Sequence, residues 1–346
     1  MSSFISYSPN FNFVIQNQKT LIICNNDWTC ANSFSYEIPI SAICGHPQND
    51  QVAVSLENKN LIIYNINEKG ELSEFTQFKV PHTAIQILFD SYRNVPSLLV
   101  LNSGELCCYN IETKEMIILL GSICTATSFK ISNDRNTIIS ADRDARIRIS
   151  RYPATYDIKA FCLNHEEFIS CIEYIDDQTI ISCDGDGQLG LWSINGDLLQ
   201  FSRIAPSGTI IRSLLYFVPQ NNSEPFIALI MEKSNNLTLI NPKTLTTIST
   251  IALPVTPLCL TTINDNIVVG GFGGIVLVKS DGTIESVNEK LFSQVEGNID
   301  DYSYESFRVI AKQIVHKGDK GTEIYDSWRF PVKHTPDDMP SKDDID

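Results

Sequence analysis

The chain has 346 residues, 43% hydrophobic and 19% charged, which suffices for one large domain or two ordinary ones and excludes disorder throughout. Acidic residues outnumber basic ones 41 to 26, giving a formal charge of −15. Nucleic-acid affinity comes mainly from neutralised phosphates, so bulk charge cannot hold RNA or DNA, and any basic site must be local.

From Phe11 to Val287 no amphipathic helical pattern of about 12 residues stands out. Short runs rich in Ile, Val, Leu, Tyr and Thr recur instead, parted by Asn, Asp, Gly or Pro, which predicts an all-β chain. The runs cluster in units of about 35–45 residues, the period of propeller blades. In chain order the units are FNFVIQ, TLIICN with SFSYEI; SAICGH, QVAVSL, LIIYNI with SEFTQFKV; AIQILFD, SLLVLN, ELCCYNI with EMIILL; and CTATSFKIS, NTIISAD, ARIRISRY with DIKAFCL. A fifth starts at His165 and runs FISCIEYI, DQTIISCD, QLGLWSI, LLQFS; a sixth holds IIRSLLYF, FIALIME, LTLINP and TISTIAL; a seventh holds LCLTTI, NIVVGG, IVLVKS and IESV.

Seven such units predict a seven-bladed WD40-like β-propeller over residues 1–288. Each sheet would have two apolar faces that only neighbouring sheets can cover, so a closed ring follows, with the N-terminal FISYS segment available for closure. Residues 289–333 read as a C-terminal extension that packs on the ring or on a partner, because Tyr302, Tyr304, Phe307, Trp328 and Phe330 are too apolar to float free. Residues 334–346, acidic and interrupted by Pro, read as a disordered tail.

The ten cysteines lie mostly singly along apolar runs and no signal peptide opens the chain, so a reducing compartment is expected. Cys107 and Cys108 would point to opposite faces of one strand, which argues against a metal there. No apolar run reaches the about 18 residues that a membrane span needs. Neither a cofactor nor a metal is expected.

The fifth unit carries a WD40-like pattern: His165 in a loop, Ser182 in the second strand, Asp186 in the turn and Trp192 at the end of the third strand. A buried indole N–H, hydroxyl, imidazole and carboxylate can satisfy one another only as a network, so these residues are read as structural and not as a Ser-His-Asp catalytic triad. Gly270, Gly271, Gly273 and Gly274 resemble a phosphate loop superficially. A phosphate loop leads into a helix, whereas β-branched residues follow here, so a hairpin turn is expected.

Composition changes sign in SADRDARIRISRYP, Ser140 to Pro153, where Arg143, Arg146, Arg148 and Arg151 face only Asp142 and Asp144. Arg146 and Arg148 share one face of a strand while Ile147 and Ile149 take the other. The residues alone allow two readings: an ordinary third strand, or a rim of guanidinium groups that forks onto a partner's carboxylates or onto phosphates.

This run, with DIKAFCLNHEEFIS after it, resembles the corresponding segment of the WD-repeat non-catalytic subunit of tRNA (guanine-N7)-methyltransferase. The close match spans Ser140 to Ser170. The resemblance implies a seven-bladed propeller without catalytic residues. Such a subunit binds and stabilises a catalytic methyltransferase subunit as a heterodimer and meets tRNA through the complex, supporting N7-methylguanosine formation in the variable loop. It also implies that Arg143, Arg146 and Arg148 face the partner, Arg148 foremost, and that an Arg148→Glu change would weaken binding at nearly unchanged stability. Some members of the family present a Lys where this chain has Gln188, so that contact would be a hydrogen bond at best. Lys317, Lys320 and Arg329 are candidates to assist on tRNA. The family points to the nucleus, with the cytoplasm as a further location. The alternative is a general WD40 scaffold or substrate adaptor in another complex, such as a ubiquitin ligase. A propeller enzyme would need converging polar residues at the central channel, and no such cluster is evident.

Overall fold

β-Branched and aromatic runs broken by turn residues become strands in the computed structural model. The structure describes residues 5–287, apart from 17, 103, 122–123, 221–223, 264–265 and 280–281. Among the described residues every regular element is a strand.

Seven four-stranded antiparallel sheets follow one another along the chain, each a plain meander. Blade 1 comprises β1 (Ile5–Tyr7), β2 (Phe11–Gln16), β3 (Thr20–Asn25) and β4 (Cys30–Ser35). Blade 2 comprises β5 (Ile40–Gly45), β6 (Gln51–Leu56), β7 (Asn60–Ile66) and β8 (Leu72–Lys79). Blade 3 comprises β9 (Gln86–Tyr92), β10 (Val95–Leu101), β11 (Glu105–Asn110) and β12 (Met116–Gly121). Blade 4 comprises β13 (Ala126–Ile131), β14 (Thr137–Asp142), β15 (Ile147–Arg151) and β16 (Ile158–Cys162). Blade 5 comprises β17 (Ile169–Asp176), β18 (Thr179–Asp184), β19 (Gln188–Ser193) and β20 (Leu198–Arg203). Blade 6 comprises β21 (Ile211–Phe217), β22 (Phe226–Met231), β23 (Asn236–Ile240) and β24 (Thr247–Ala252). Blade 7 comprises β25 (Thr256–Ile263), β26 (Asn266–Phe272), β27 (Gly274–Val278) and β28 (Ile284–Val287).

First strands of successive blades lie against one another, β1 against β5 and against β25, so they line the centre of a closed ring. Fourth strands form the outer wall and carry most of the exposed positions. Because side chains alternate across a strand, each blade feeds two cores. On β10, Leu98 and Val100 pack toward blade 2 while Leu99 and Leu101 pack toward blade 4. Seven apolar clusters fill the gaps between adjacent blades in this way. The last joins Ile5, Val14, Ile22 and Trp28 of blade 1 to Ile263, Val268 and Ile275 of blade 7. Part of the FISYS segment therefore closes the ring as the innermost strand of blade 1.

The fourth strand of blade 1 begins at Cys30, before the run SFSYEI suggests. The Asp27 carboxylate accepts from the N–H and hydroxyl of Thr29, which turns the chain back early, and the polar residues that follow carry no apolar signature. The glycines at 270–274 form the β26–β27 hairpin. Gly273 holds a φ of +97°, and a Cβ on Gly271 would stand 1.9 Å from the Thr256 carbonyl oxygen, so both positions need glycine. The expectations for 289–333, for 334–346 and for Lys317, Lys320 and Arg329 lie outside the described residues. No helix among the described residues is long and apolar enough to cross a membrane.

Candidate partner interface

Blade 5 contains a completed polar network. Trp192 Nε1 donates to Ser182 Oγ at 2.8 Å, Ser182 Oγ lies 2.7 Å from His165 Nε2, and His165 Nδ1 lies 2.8 Å from Asp184 Oδ2. The indole can only donate, so Ser182 accepts from it, while the hydroxyl also reaches the Gly190 carbonyl at 3.3 Å and the imidazole bridges Ser182 to the Asp184 carboxylate. The other oxygen, Asp184 Oδ1, accepts the backbone N–H groups of Asp186 and Gln188, both at 2.9 Å. All four residues are at most 2% exposed. A serine so enclosed cannot meet a substrate.

His165, Ser182 and Trp192 come together as their residue types suggest, but the carboxylate is Asp184 and not Asp186. Strand parity explains the difference. Ser182 and Asp184 are two apart on β18 and share its inward face, whereas Asp186 lies past the strand in the turn. There Asp186 accepts from Arg203 Nη2 and Ser207 Oγ, both at 2.7 Å, and from the Gly208 N–H at 2.5 Å. Partial burial works to raise its pKa, and the Arg203 guanidinium with the Gly208 and Ser207 donors outweighs that and holds the carboxyl below the usual range.

The corresponding turn of blade 4 is built on the same plan. Asp142 Oδ1 accepts the N–H groups of Asp144 and Arg146, as Asp184 does for its own turn. Arg143, Asp144, Ala145 and Arg146 thus stand where blade 5 has Gly185, Asp186, Gly187 and Gln188. In a meander the turns from second to third strand of every blade emerge at one end of the ring. Arg143, Arg146 and Gln188 therefore share that end, the latter two at equivalent places on adjacent blades. Arg146 is bound within its own turn, its Nη2 3.0 Å from Asp144 Oδ2 and its Nε 3.3 Å from Asp142 Oδ2, with its side chain 38% exposed.

Arg148 sits deeper than a rim residue. Its Nε donates to Ser150 Oγ at 3.1 Å and its Nη2 to the Thr155 carbonyl at 2.9 Å. Burial pulls its pKa down. Ile147 and Ile149 pack toward blade 5, which leaves the Arg148 face turned toward blade 3. Directly across from Arg148 on β16 is Phe161, on the same face.

This is where the structure adds residues that charge patterning missed. Phe161 is 45% exposed, and Leu163, just past the strand, 65%. Ile158 and Tyr156 are exposed beside them, and on blade 3 Ile117 of β12 stands opposite Cys108, on the side that packs toward blade 4. The outer part of the groove between blades 3 and 4 thus combines large apolar side chains with a partly buried guanidinium and an arginine turn at one end. An exposed apolar patch rimmed by charge is the usual composition of a protein contact. The sequence signal was present in DIKAFCL, where hydrophobic residues occur on both faces of a strand at the outer wall. Among the described residues no group of three or more His, Cys, Asp or Glu could hold a metal ion.

Comparison with known proteins bears on this segment directly. Residues 115–275 match the family model of the tRNA methyltransferase TRM82 WD40 domain. The chain resembles the WD-repeat non-catalytic subunits of that enzyme, as its sequence suggests. It is 32% identical over 187 residues to the Drosophila melanogaster protein named tRNA (guanine-N(7)-)-methyltransferase non-catalytic subunit wuho, covering 51% of this chain and 42% of the relative. With the Drosophila yakuba protein of the same name the identity is 39% over 164 residues, 45% of this chain and 37% of the relative. The chain thus spans under half the length of these curated relatives. Among solved structures, the WD40 β-propeller domain of Doa1 superposes with a TM-score of 0.62 at 13% identity, over 81% of this chain and 90% of that one, a likeness of fold alone. The matched stretch contains the arginine turn, the tetrad and the exposed outer strands of blades 3 and 4.

Proposed function

We propose that this chain is a non-catalytic subunit of a tRNA (guanine-N7)-methyltransferase, and that it grips the catalytic subunit by the groove between blades 3 and 4. The observation that carries the reading is a coincidence of place: the TRM82-type match over residues 115–275 encloses the exposed Ile117, Phe161 and Leu163 and the arginines that break an otherwise acidic chain. The relatives are named non-catalytic subunits, and the enclosed Ser-His-Asp arrangement offers no reactive group to solvent.

The mechanism is scaffolding. Phe161, Leu163 and Ile117 supply apolar area that the partner desolvates, and the guanidinium groups of Arg143 and Arg146 orient it by charge. Gln188 contributes a neutral hydrogen bond at the equivalent place on blade 5. Arg148 acts from behind, holding β15 and the Thr155 loop in shape, while the contact itself falls on the exposed side chains. Because this chain carries −15, the complex reaches tRNA phosphates through the basic surface of the partner, and the variable-loop guanine is methylated there. The nucleus is the expected compartment, which localisation of the tagged chain in its native cells checks.

Reconstitution tests the reading. The chain and the catalytic subunit, mixed with tRNA and a methyl donor, are expected to form N7-methylguanosine at a rate neither reaches alone. Equal rates with and without this chain overturn it. Co-purification with cullin or coat components in place of a methyltransferase points to the general adaptor instead.

A further inference from the structure

All ten cysteines are free thiols. Cys171 of β17 stands directly across from Cys183 of β18, and both side chains turn to the side that packs on blade 6. Residues directly opposite in an antiparallel pair have Cα atoms about 4.5–5.5 Å apart. That separation lies inside the about 4.4–6.8 Å that a disulfide bridges, so a bond between these sulfurs asks little of the backbone.

The two thiols are unlike. Cys183 is fully buried, with 0% exposure, and burial raises its pKa well above that of an ordinary thiol. Cys171 is half-buried on the innermost strand of blade 5, where the first strands line the centre of the ring. The Cys183 thiol donates to the Cys171 sulfur and draws its pKa down; burial opposes this, and the Lys130 ammonium adds to the lowering. Lys130 of β13 is itself held by Glu173, two residues along β17 from Cys171, with Nζ 2.6 Å from Oε2. Cys171 Sγ donates to the Arg212 carbonyl of blade 6 at 3.2 Å. Elsewhere burial dominates. It pushes Cys107 and Cys108 up to about 11, and Cys24, which faces Cys30 across β3 and β4, up to about 12 with the Cys30 thiol and the Asp27 carboxylate adding to the rise.

We propose that Cys171 and Cys183 form a peroxide-responsive dithiol, in which Cys171 is oxidised first and Cys183 resolves it to a disulfide. The Cys171 thiolate attacks one oxygen of hydrogen peroxide, an S–O bond forms as the O–O bond breaks, and the departing hydroxide regains the thiol's proton as water. The Cys183 sulfur then attacks the sulfenic sulfur, the S–S bond forms as the S–O bond breaks, and the Cys183 proton leaves with the hydroxyl as a second water. Two thiols are oxidised and one peroxide is reduced. The bond removes the Cys171 S–H, and with it the hydrogen bond that ties β17 to blade 6. In a reducing compartment thiol reductants return both sulfurs to the free form.

Peptide mapping by mass spectrometry tests this on the reduced full chain, treated with hydrogen peroxide while folded and then alkylated in denaturant. The expected product is a Cys171–Cys183 link that dithiothreitol reverses and that forms at least about tenfold faster than Cys107 or Cys108 is oxidised. Cys183→Ser should leave the sulfenic acid on Cys171, captured by dimedone, and Cys171→Ser should leave Cys183 reduced. Because Cys183 is buried, its variant could unfold, and the parent's own map then carries the test. Oxidation of Cys171 with Cys183 left free in the parent, a bond from Cys171 to another cysteine, or both thiols alkylated alike with and without peroxide would overturn the proposal.

Discussion

The Trp192 indole can give one hydrogen bond and accept none, so its burial makes sense only if an acceptor is buried with it. Ser182 is that acceptor, and the requirement passes along to His165 and ends on Asp184, whose second oxygen ties down two turn amides. Removing a link strands the others in an apolar core. Asp184→Asn should therefore cost about 2 kcal/mol or more, whereas Asp186→Asn, at a partly exposed ion pair, should cost about 1 kcal/mol or less, as read by chemical denaturation. Reversal of that order would return Asp186 to the network. The pH dependence has a definite sign. Because the Asp186 pKa is depressed on folding, its contribution is present above the unfolded value of about 4 and disappears as pH falls through the lower folded one. The stability gap between Asp186→Asn and the parent should hence be widest near neutrality and close in acid. Arg148 shows how residue type misleads: an arginine within a basic run reads as free charge, yet its guanidinium closes on Ser150 and Thr155 of its own blade. Arg148→Glu is accordingly expected to lose about 1–3 kcal/mol of stability, contrary to the nearly unchanged stability expected of a partner-facing Arg148.

At the scale of the element, two consecutive blades use one turn with different residues. Gly187 takes φ +75°, and a Cβ there would sit 2.9 Å from the Cβ of Ala205; at the equivalent position of blade 4, Ala145 takes φ +61°. An L-residue pays about 1–2 kcal/mol in that region, so Ala145→Gly should stabilise the chain by about 1 kcal/mol at most, and Gly187→Ala should destabilise it by more. Equal and opposite effects in thermal melts would show that the Ala205 contact is relieved without cost. Strand existence was legible because period-two apolar runs and Gly or Asp turns leave clear marks, as in DQTIISCD and QLGLWSI. The inward carboxylate was less so. Asp184 and Asp186 are only two residues apart in sequence, and only the end of β18, which includes the first and not the second, decides between them. The Arg146 ion pairs were hidden for a similar reason: their partners, Asp142 and Asp144, are visible in the run, but the backbone path that curls it into a closed turn is not.

For the whole molecule, stability rests on the interfaces between blades, because no blade has a private core. The weakest link in such a ring is where the ends meet, and here the seam is apolar packing between blade 1 and blade 7. Ile5→Asp, which buries an unpaired charge in that seam, should lower the stability of the ring by about 3 kcal/mol or more without abolishing the strands elsewhere. An unchanged melt would mean that β1 does not close the ring. Blade count could be read from the repeat of apolar runs, whereas the groove could not, since it joins Ile117 of β12 to Phe161 of β16, residues whose facing depends on how successive sheets stack.

The central claim is that this groove is where a methyltransferase subunit is held, and affinity purification of the full chain from its native cells, parent beside a Phe161→Glu/Leu163→Glu variant, tests it most directly. The account predicts that the parent brings down a methyltransferase active on tRNA guanine N7, and that the variant melts within about 2 °C of the parent yet loses that companion, as replacement by charge of exposed anchors that only the partner covers should do. A folded variant that keeps the enzyme, or a parent that never carries one, would contradict it.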